Sequence, residues 1–120
     1  TIIAYGLMVA AALEAAAELS EEGIEARVLD MHTVKPLDAD AVEAAAKETG
    51  AVVTAEEHLL NGGLGAEVAR VVGERQPVPM GFVGIDNTYA ESGEPQELLR
   101  KYGLMPTDIK DAVNRTLTRK

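Results

Sequence analysis

The chain contains no cysteine and no tryptophan, and only 3% of its 120 residues are aromatic. Without cysteine, neither a disulfide framework nor a thiolate metal site can form. This composition is compatible with a reducing cytoplasm, where we expect the protein to act. Hydrophobic residues nevertheless make up 47% of the chain, so we expect a folded domain with a core of Ala, Val, Leu and Ile rather than a disordered segment.

Positive charge is also scarce, because 11 Lys and Arg residues face 20 Asp and Glu residues, for a net charge of −9. The basic residues are scattered, apart from a small cluster at Arg115, Arg119 and Lys120. A basic stripe that could bind a phosphate backbone is missing, which argues against nucleic acid and anionic membranes as partners. The sequence also lacks a signal peptide and an apolar stretch long enough to span a bilayer.

The length of 120 residues is typical of one compact domain, which we assign to residues 1–120. The chain begins with Thr1 rather than methionine, and the strand-like run TIIAY follows at once. We therefore expect the sequence to be a fragment of a longer chain.

Apolar runs typical of strands alternate with amphipathic segments typical of helices. Strands are predicted at 1–5, 24–31, 51–56 and 80–85, and helices at 7–22, 39–49, 66–75, 95–102 and after Thr107. Predicted helix caps are Gly23, Asp38, Gly50, Gly103 and Thr107. This alternation indicates an α/β fold with an open, mostly parallel sheet covered on both faces. Ligands of such sheets bind at the carboxyl ends of strands where the strand order reverses, so the loops around Gly6, 31–37, 56–65 and 86–93 are candidates.

Three polar residues, Glu56, Glu57 and His58, end the third predicted strand. Neighbouring residues of a strand point to opposite faces, so these side chains need not form one site. An imidazole beside two acids could shuttle protons. However, no nucleophile is near, and His32 follows a different strand. A polar strand end that is hydrogen-bonded to backbone or to a partner is therefore the favoured interpretation.

The segment Asn61 to Gly65 reads N-G-G-L-G and precedes a predicted helix. Glycines there could let a phosphate approach the positive helix end. The segment lacks both the G-x-G-x-x-G fingerprint and the lysine of a P-loop, and the preceding glutamates would repel an anion. Glycines that serve a tight strand-to-helix turn are favoured, and a ligand role stays open. Lys35 could bind an anion, but a solvated loop charge or an interface contact is favoured. Ser92 has no histidine close in sequence that would make it a nucleophile.

Five short motifs together resemble the C-terminal domain of transketolases and related thiamine diphosphate enzymes. They are K-P-L-D at 35–38, T-x-E-E-H at 54–58, G-G-L-G at 62–65, S-G-x-P at 92–95 and L-L-x-x-Y-G-L at 98–104. The last two resemble transketolase itself, especially the split transketolases, in which a smaller polypeptide carries the pyrimidine-binding and C-terminal domains.

The resemblance implies a three-layer α/β/α fold with a mostly parallel five-stranded sheet whose first strand is antiparallel to the rest. Only four strands are clear in the sequence, so we expect a fifth near 77–79 or beyond Gly103. In the family, the full enzyme uses thiamine diphosphate and Mg²⁺ (or Ca²⁺) to move a two-carbon ketol unit between sugar phosphates, a reaction of the pentose phosphate pathway. Two other domains hold that cofactor, one the pyrimidine ring and the other the diphosphate and metal.

The resemblance further implies that this domain has no catalytic, cofactor-binding or metal-binding residues and is inactive alone. Its role would be to pack against the pyrimidine-binding and diphosphate-binding domains or subunits in a homodimeric enzyme. The candidate interface or effector loop consists of Lys35, Glu56, Glu57, His58, Asn61, Gly62, Gly63, Gly65 and Ser92. Two alternatives stay open: the equivalent domain of a deoxyxylulose-phosphate synthase or 2-oxoacid dehydrogenase beta subunit, or an independent nucleotide- or anion-binding module that uses the turn at 62–65.

Overall fold

A computed structural model describes residues 1–31, 37–59, 63–85 and 104–120, without the side chains of 58, 59 and 85. Strands and helices alternate along these ranges. They are β1 (Ile2–Ala4), α1 (Met8–Glu21), β2 (Val28–Asp30), α2 (Ala39–Thr49), β3 (Val52–Leu59), α3 (Leu64–Arg75), β4 (Met80–Ile85) and α4 (Pro106–Leu117). No helix within them is both long and apolar enough to cross a membrane.

The four described strands form one sheet in the order β2-β1-β3-β4, and every neighbouring pair is parallel. Ile3, for example, pairs with Leu29 on one side and with Thr54 on the other. The predicted α/β fold is confirmed. The expectation of an antiparallel first strand is wrong for β1, because the helical connection from each described strand to the next returns the chain to the same edge of the sheet. A fifth strand is not among the described residues.

Helices cover both faces of the sheet, in the three layers that we expected. Helices α1 and α4 lie on one face, and α2 and α3 lie on the other. Parallel crossovers are almost always right-handed. The connection from β1 to β2 runs one way across the sheet and therefore places α1 on one face. The connections from β2 to β3 and from β3 to β4 run the opposite way, so α2 and α3 lie on the other face. The strand order thus reverses between β1 and β3.

Each face of the sheet buries its own apolar cluster. The α1/α4 cluster includes Ile2, Ala4, Met8, Ala12, Ala15, Leu19, Val53, Ala55, Val83, Leu104, Ile109, Ala112 and Val113. The α2/α3 cluster includes Ile3, Met31, Val42, Ala46, Val52, Leu64, Val68, Val71 and Val72. Alternate residues of β1 and β3 go to opposite clusters, as the two-residue period of a strand requires. The predicted core of small aliphatic residues is confirmed.

The observed helix ends agree with three of the predicted caps and differ from a fourth. Asp38 accepts a hydrogen bond from the Ala41 N–H at 3.1 Å and begins α2, and Gly50 ends that helix with φ +76°. Gly23, with φ +86°, follows α1 as predicted. Thr107 does not cap α4, because the helix begins one residue earlier, at Pro106. Proline fits the first helical position without losing a hydrogen bond, and the Asp108 carboxylate accepts instead from the Met105 N–H at 2.8 Å.

Candidate functional site

The carboxyl edge of the sheet brings together the ends of β1 and β3 at the point where the strand order reverses. Tyr5 and Gly6 follow β1, and Glu56 and Glu57 lie near the end of β3. Gly6 has φ +62°, a conformation that suits glycine, and it turns the chain directly from β1 into α1. In open α/β sheets this position is the usual place for a ligand.

Strand β3 is irregular at this edge. Ala55 pairs with Val83 and Leu59 pairs with Ile85, so residues 56–58 stand opposite Gly84 alone. Extra residues of this kind form a β-bulge, which bends a strand and changes the direction of its side chains. The two glutamates therefore lie in the irregular part of β3.

Glu56 is fully buried, with 0% of its surface exposed, and it contacts the first turn of α3. Its Oε1 accepts from the Leu64 N–H at 2.8 Å, and its Oε2 accepts from the Gly65 N–H at 2.7 Å. Residue Gly63 occupies the N-cap position and has no side chain to do this. A carboxylate is favoured here because the amino end of a helix carries partial positive charge and unpaired N–H groups.

We expected a polar strand end that is hydrogen-bonded to backbone or to a partner, and Glu56 makes the first of these contacts, with backbone N–H groups of α3 in its own chain. We also expected a turn through Gly65 and a helix from Ala66, whereas α3 begins at Leu64 and includes Gly65. The helix begins earlier because Glu56 supplies acceptors for the N–H groups of its first two residues.

Gly65 lies in close contact with three side chains of the sheet. A Cβ atom at this position would lie 2.9 Å from Phe82 Cδ1, 2.9 Å from Thr54 Oγ1 and 3.1 Å from Glu56 Oε2. The first two separations are shorter than the contacts that real Cβ atoms make, so only glycine lets α3 approach β3 and β4 this closely. The glycine therefore has a packing role, as the strand-to-helix interpretation predicted.

Glu57 is half-buried. Its Oε1 lies 3.5 Å from the place that a Cβ on Gly6 would occupy, at the start of α1. The side chain of Tyr5 packs against the α2/α3 cluster. Burial raises the pKa of Tyr5, and the negative charges of Glu56 and Glu57 raise it further. The Tyr5 phenol is therefore protonated at neutral pH.

Several predicted site residues lie outside the part of the chain that the structure describes. They are Lys35, Asn61, Gly62 and Ser92, together with the side chain of His58. The predicted loop 86–93 and helix 95–102 lie outside it as well. Over the described ranges, no group of three His, Cys, Asp or Glu residues is arranged to hold a metal ion. The interface or effector role of the candidate set stays a prediction.

Two residues at this edge, Tyr5 and Thr54, were not among the predicted site residues. Tyr5 directly precedes Gly6, so the rule that ligands bind where the strand order reverses could have indicated it. Thr54 alternates with Val53 and Ala55 and lies on the same face of β3 as Glu56. Its position in T-x-E-E-H gave no signal that its hydroxyl would be buried against α3.

Comparison with known proteins agrees with this geometry. Residues 1–109 match the family model for the transketolase C-terminal domain. The chain belongs to the transketolase C-terminal domain family. The fold is therefore that of a transketolase C-terminal domain.

Curated relatives of this transketolase C-terminal domain include subunits of transketolases. A 6-deoxy-6-sulfo-D-fructose transketolase subunit of Clostridium sp. (strain MSTE9) is 48% identical over 100% of this chain and 37% of its own length. An apulose-4-phosphate transketolase subunit of Phocaeicola vulgatus is 46% identical over 87% of this chain and 33% of its own length. The 1-deoxy-D-xylulose-5-phosphate synthase of Gloeothece citriformis is 39% identical over 93% of this chain and 18% of its own length.

A solved structure agrees with these relatives. A split gene transketolase, described as an inactive beta4 tetramer, is similar with a TM-score of 0.95 and 51% identity over 99% of this chain and 39% of that chain. The transketolase C-terminal domain thus spans between 18% and 39% of the lengths of these longer proteins.

Proposed function

We propose that the chain is the non-catalytic assembly domain of a transketolase, whose complete enzyme transfers a two-carbon ketol unit between sugar phosphates. The observation that supports this proposal is that the Glu56 carboxylate accepts hydrogen bonds from the first turn of α3. The position that would suit a substrate phosphate, the amino end of α3, already holds an internal carboxylate at 2.7 and 2.8 Å. A second anion there would meet like charge in a buried environment, which is strongly unfavourable.

The described residues do not fit thiamine diphosphate. A diphosphate needs donors that are not already occupied, and its Mg²⁺ or Ca²⁺ needs clustered oxygen ligands. The described ranges lack a group of three acidic or imidazole side chains that could serve. We therefore assign the cofactor and its metal to other domains of the complete enzyme and derive no catalytic step in this domain.

We propose the carboxyl edge around Gly6 and Glu57 as the surface that meets the pyrimidine-binding and diphosphate-binding domains or subunits. Gly6 is exposed and Glu57 is half-buried, so both are accessible to a neighbour. The high identity to a transketolase subunit over the whole chain supports the presence of partner domains or subunits. In this proposal the complete enzyme is a cytoplasmic homodimer of the pentose phosphate pathway.

Binding and activity measurements test the proposal. We expect isothermal titration of the purified 120-residue chain to show no saturable binding of thiamine diphosphate with Mg²⁺, of sugar phosphates or of nucleotides. Ketol transfer should be absent from the chain alone and should appear when the complete set of domains is present. Saturable micromolar binding by the chain alone would instead support an independent anion-binding module.

A second candidate is the equivalent domain of a deoxyxylulose-phosphate synthase, because synthases of that kind are also among the relatives. The complete natural enzyme should be assayed for both reactions. Ketol transfer without deoxyxylulose-phosphate formation would support transketolase, and the reverse result would support the synthase. The first candidate is favoured because the transketolase subunits share a higher identity with the chain.

A further inference from the structure

We propose that the amino end of α3 is an oxyanion receptor that the chain fills with its own Glu56 carboxylate, and that a small external carboxylate binds there when Glu56 is shortened. This inference concerns the domain itself and does not depend on which enzyme contains it. It predicts a ligand site that is hidden in the natural sequence.

The donors of the receptor are two consecutive backbone N–H groups at the start of a 12-residue helix. Leu64 and Gly65 direct their N–H groups to the two different oxygens of one carboxylate. Adjacent amides at a helix start, each on its own oxygen, are the arrangement by which proteins bind oxyanions. The bound group here belongs to residue 56 of the same chain, and its negative charge matches the partial positive charge of the helix end.

A second observation comes from Thr54. Its side chain is fully buried, and its Oγ1 has no hydrogen-bond partner among the described residues. This oxygen and Glu56 Oε2 lie 2.9 and 3.1 Å from one point, the position of a Cβ on Gly65. A buried hydroxyl without a partner carries a free-energy cost. An anion or water that replaced the Glu56 carboxyl group would gain this hydroxyl as a further donor.

The surrounding side chains limit the size of the ligand. Phe82 Cδ1 lies 2.9 Å from the same point beside Gly65, so its ring forms an apolar wall. Because Phe82 is 42% exposed, its ring is the layer that separates the receptor from solvent on this side. Shortening Glu56 to alanine removes a CH₂ and a carboxylate, which is the volume of acetate. Acetate therefore fits the vacated space, whereas a sugar phosphate is too large.

Thermal unfolding of the intact natural polypeptide tests the inference. We expect potassium acetate to raise the melting temperature of a Glu56→Ala variant by about 3–6 °C in a saturable manner, relative to potassium chloride at equal ionic strength. The wild-type protein and Glu56→Gln should not respond, because the carboxylate or its amide isostere still fills the receptor. Adding Thr54→Val to Glu56→Ala should weaken the apparent acetate affinity several-fold, since it removes a donor.

A matched control is available at α2, where Asp38 caps the helix but is exposed. Asp38→Ala should lower the melting temperature without gaining a response to acetate, because water already reaches the uncapped N–H groups. The inference is overturned if Glu56→Ala responds no more than Asp38→Ala, or if the wild type responds equally. If Glu56→Ala folds only in acetate, the inference is supported. If it fails to fold in acetate as well, while Glu56→Gln folds, an external carboxylate does not replace the side chain and the inference is wrong.

Discussion

Glutamate is among the residues that are least often fully buried, unless it is paired. Glu56 meets that condition through the backbone N–H groups of Leu64 and Gly65. The same few atoms impose a second constraint, because Gly65 must be small enough to let α3 approach Thr54 and Phe82. The acid and the glycine therefore form one structural unit that joins a strand to a helix.

Replacement of Gly65 by alanine should destabilise the 120-residue chain by about 1–3 kcal/mol, because the added methyl group overpacks a close contact. Gly73 is the matched control. It lies in the same helix, is exposed, and has no atom within 4 Å of the place for a Cβ. Gly73→Ala should stabilise the chain by about 0.5–1 kcal/mol through helix propensity. Urea unfolding measures both changes, and equal effects of the two substitutions would contradict the packing role of Gly65.

The raised pKa of Tyr5 predicts a loss of stability in alkali. Burial, Glu56 and Glu57 hold the folded-state pKa above the ordinary value of about 10. The free energy of unfolding should therefore be unaffected by this group below about pH 10, and it should fall as pH rises toward the folded-state pKa. Tyr5→Phe should make that decline less steep, as urea unfolding at several pH values would show.

Ultraviolet titration of the phenolate gives an independent control. Glu57→Gln should shift the titration of Tyr5 to lower pH, because it removes one of the charges that raise the pKa. The Tyr5→Phe variant identifies which part of the absorbance change belongs to Tyr5. An unchanged Tyr5 titration in Glu57→Gln would contradict the electrostatic contribution.

The sequence predicts which residues at this edge are polar, but it does not predict how each is used. Glu56 and Glu57 are identical in type and adjacent, and the alternation of a strand indicates only that they point to opposite faces. Glu56 reaches the start of α3 and Glu57 lies beside Gly6, in a strand end that the bulge of β3 makes irregular. A bulge depends on the pairing of two strands that are distant in sequence, so no local pattern indicates it.

Among the helices and strands, those with local end signals are the ones that the sequence predicts best. Helix α2 runs from Ala39 to Thr49 as predicted, because Asp38 and Gly50 mark its ends. Strand β2 is shorter than predicted, at Val28–Asp30, since its extent depends on pairing with the short β1. Helix α3 begins earlier than predicted because its cap comes from the preceding strand rather than from a neighbouring residue.

The Asp38 cap permits a direct test at this scale. Asp38→Ala should destabilise the chain by about 0.5–2 kcal/mol, because the Ala41 N–H loses its acceptor. Asp38→Ser should be close to neutral, since serine caps helices about as well as aspartate does. Denaturant unfolding of the wild type and the two variants measures the differences in the free energy of unfolding. A serine variant as unstable as the alanine variant would show that the hydrogen bond is not the source of the stability.

At the scale of the whole molecule, one sheet separates two apolar clusters, and its strands contribute to both. Val52 lies in the α2/α3 cluster, whereas its neighbour Val53 lies in the α1/α4 cluster. Loss of either cluster would expose one face of the same strands. We therefore expect the two faces to unfold together as one cooperative unit.

Substitutions on the two faces test this cooperativity. Leu19→Ala on the α1 side should lower the free energy of unfolding by about 2–5 kcal/mol, and Val68→Ala on the α3 side should lower it by less because fewer atoms are removed. Both side chains are fully buried. Each variant should keep a single transition that coincides by circular dichroism and tyrosine fluorescence. The control is Leu13→Ala, at a position that is 56% exposed, which should change the free energy of unfolding little. Separate unfolding transitions for the two faces would contradict the expected cooperativity.

The hydrogen bonds from the Leu64 and Gly65 N–H groups to Glu56 join β3 directly to α3, in addition to the covalent connection between the two elements. These hydrogen bonds and the close packing of Gly65 set the position of the helix relative to the strand. We therefore expect peptide that is inserted between positions 58 and 63 to leave the start of the helix in place.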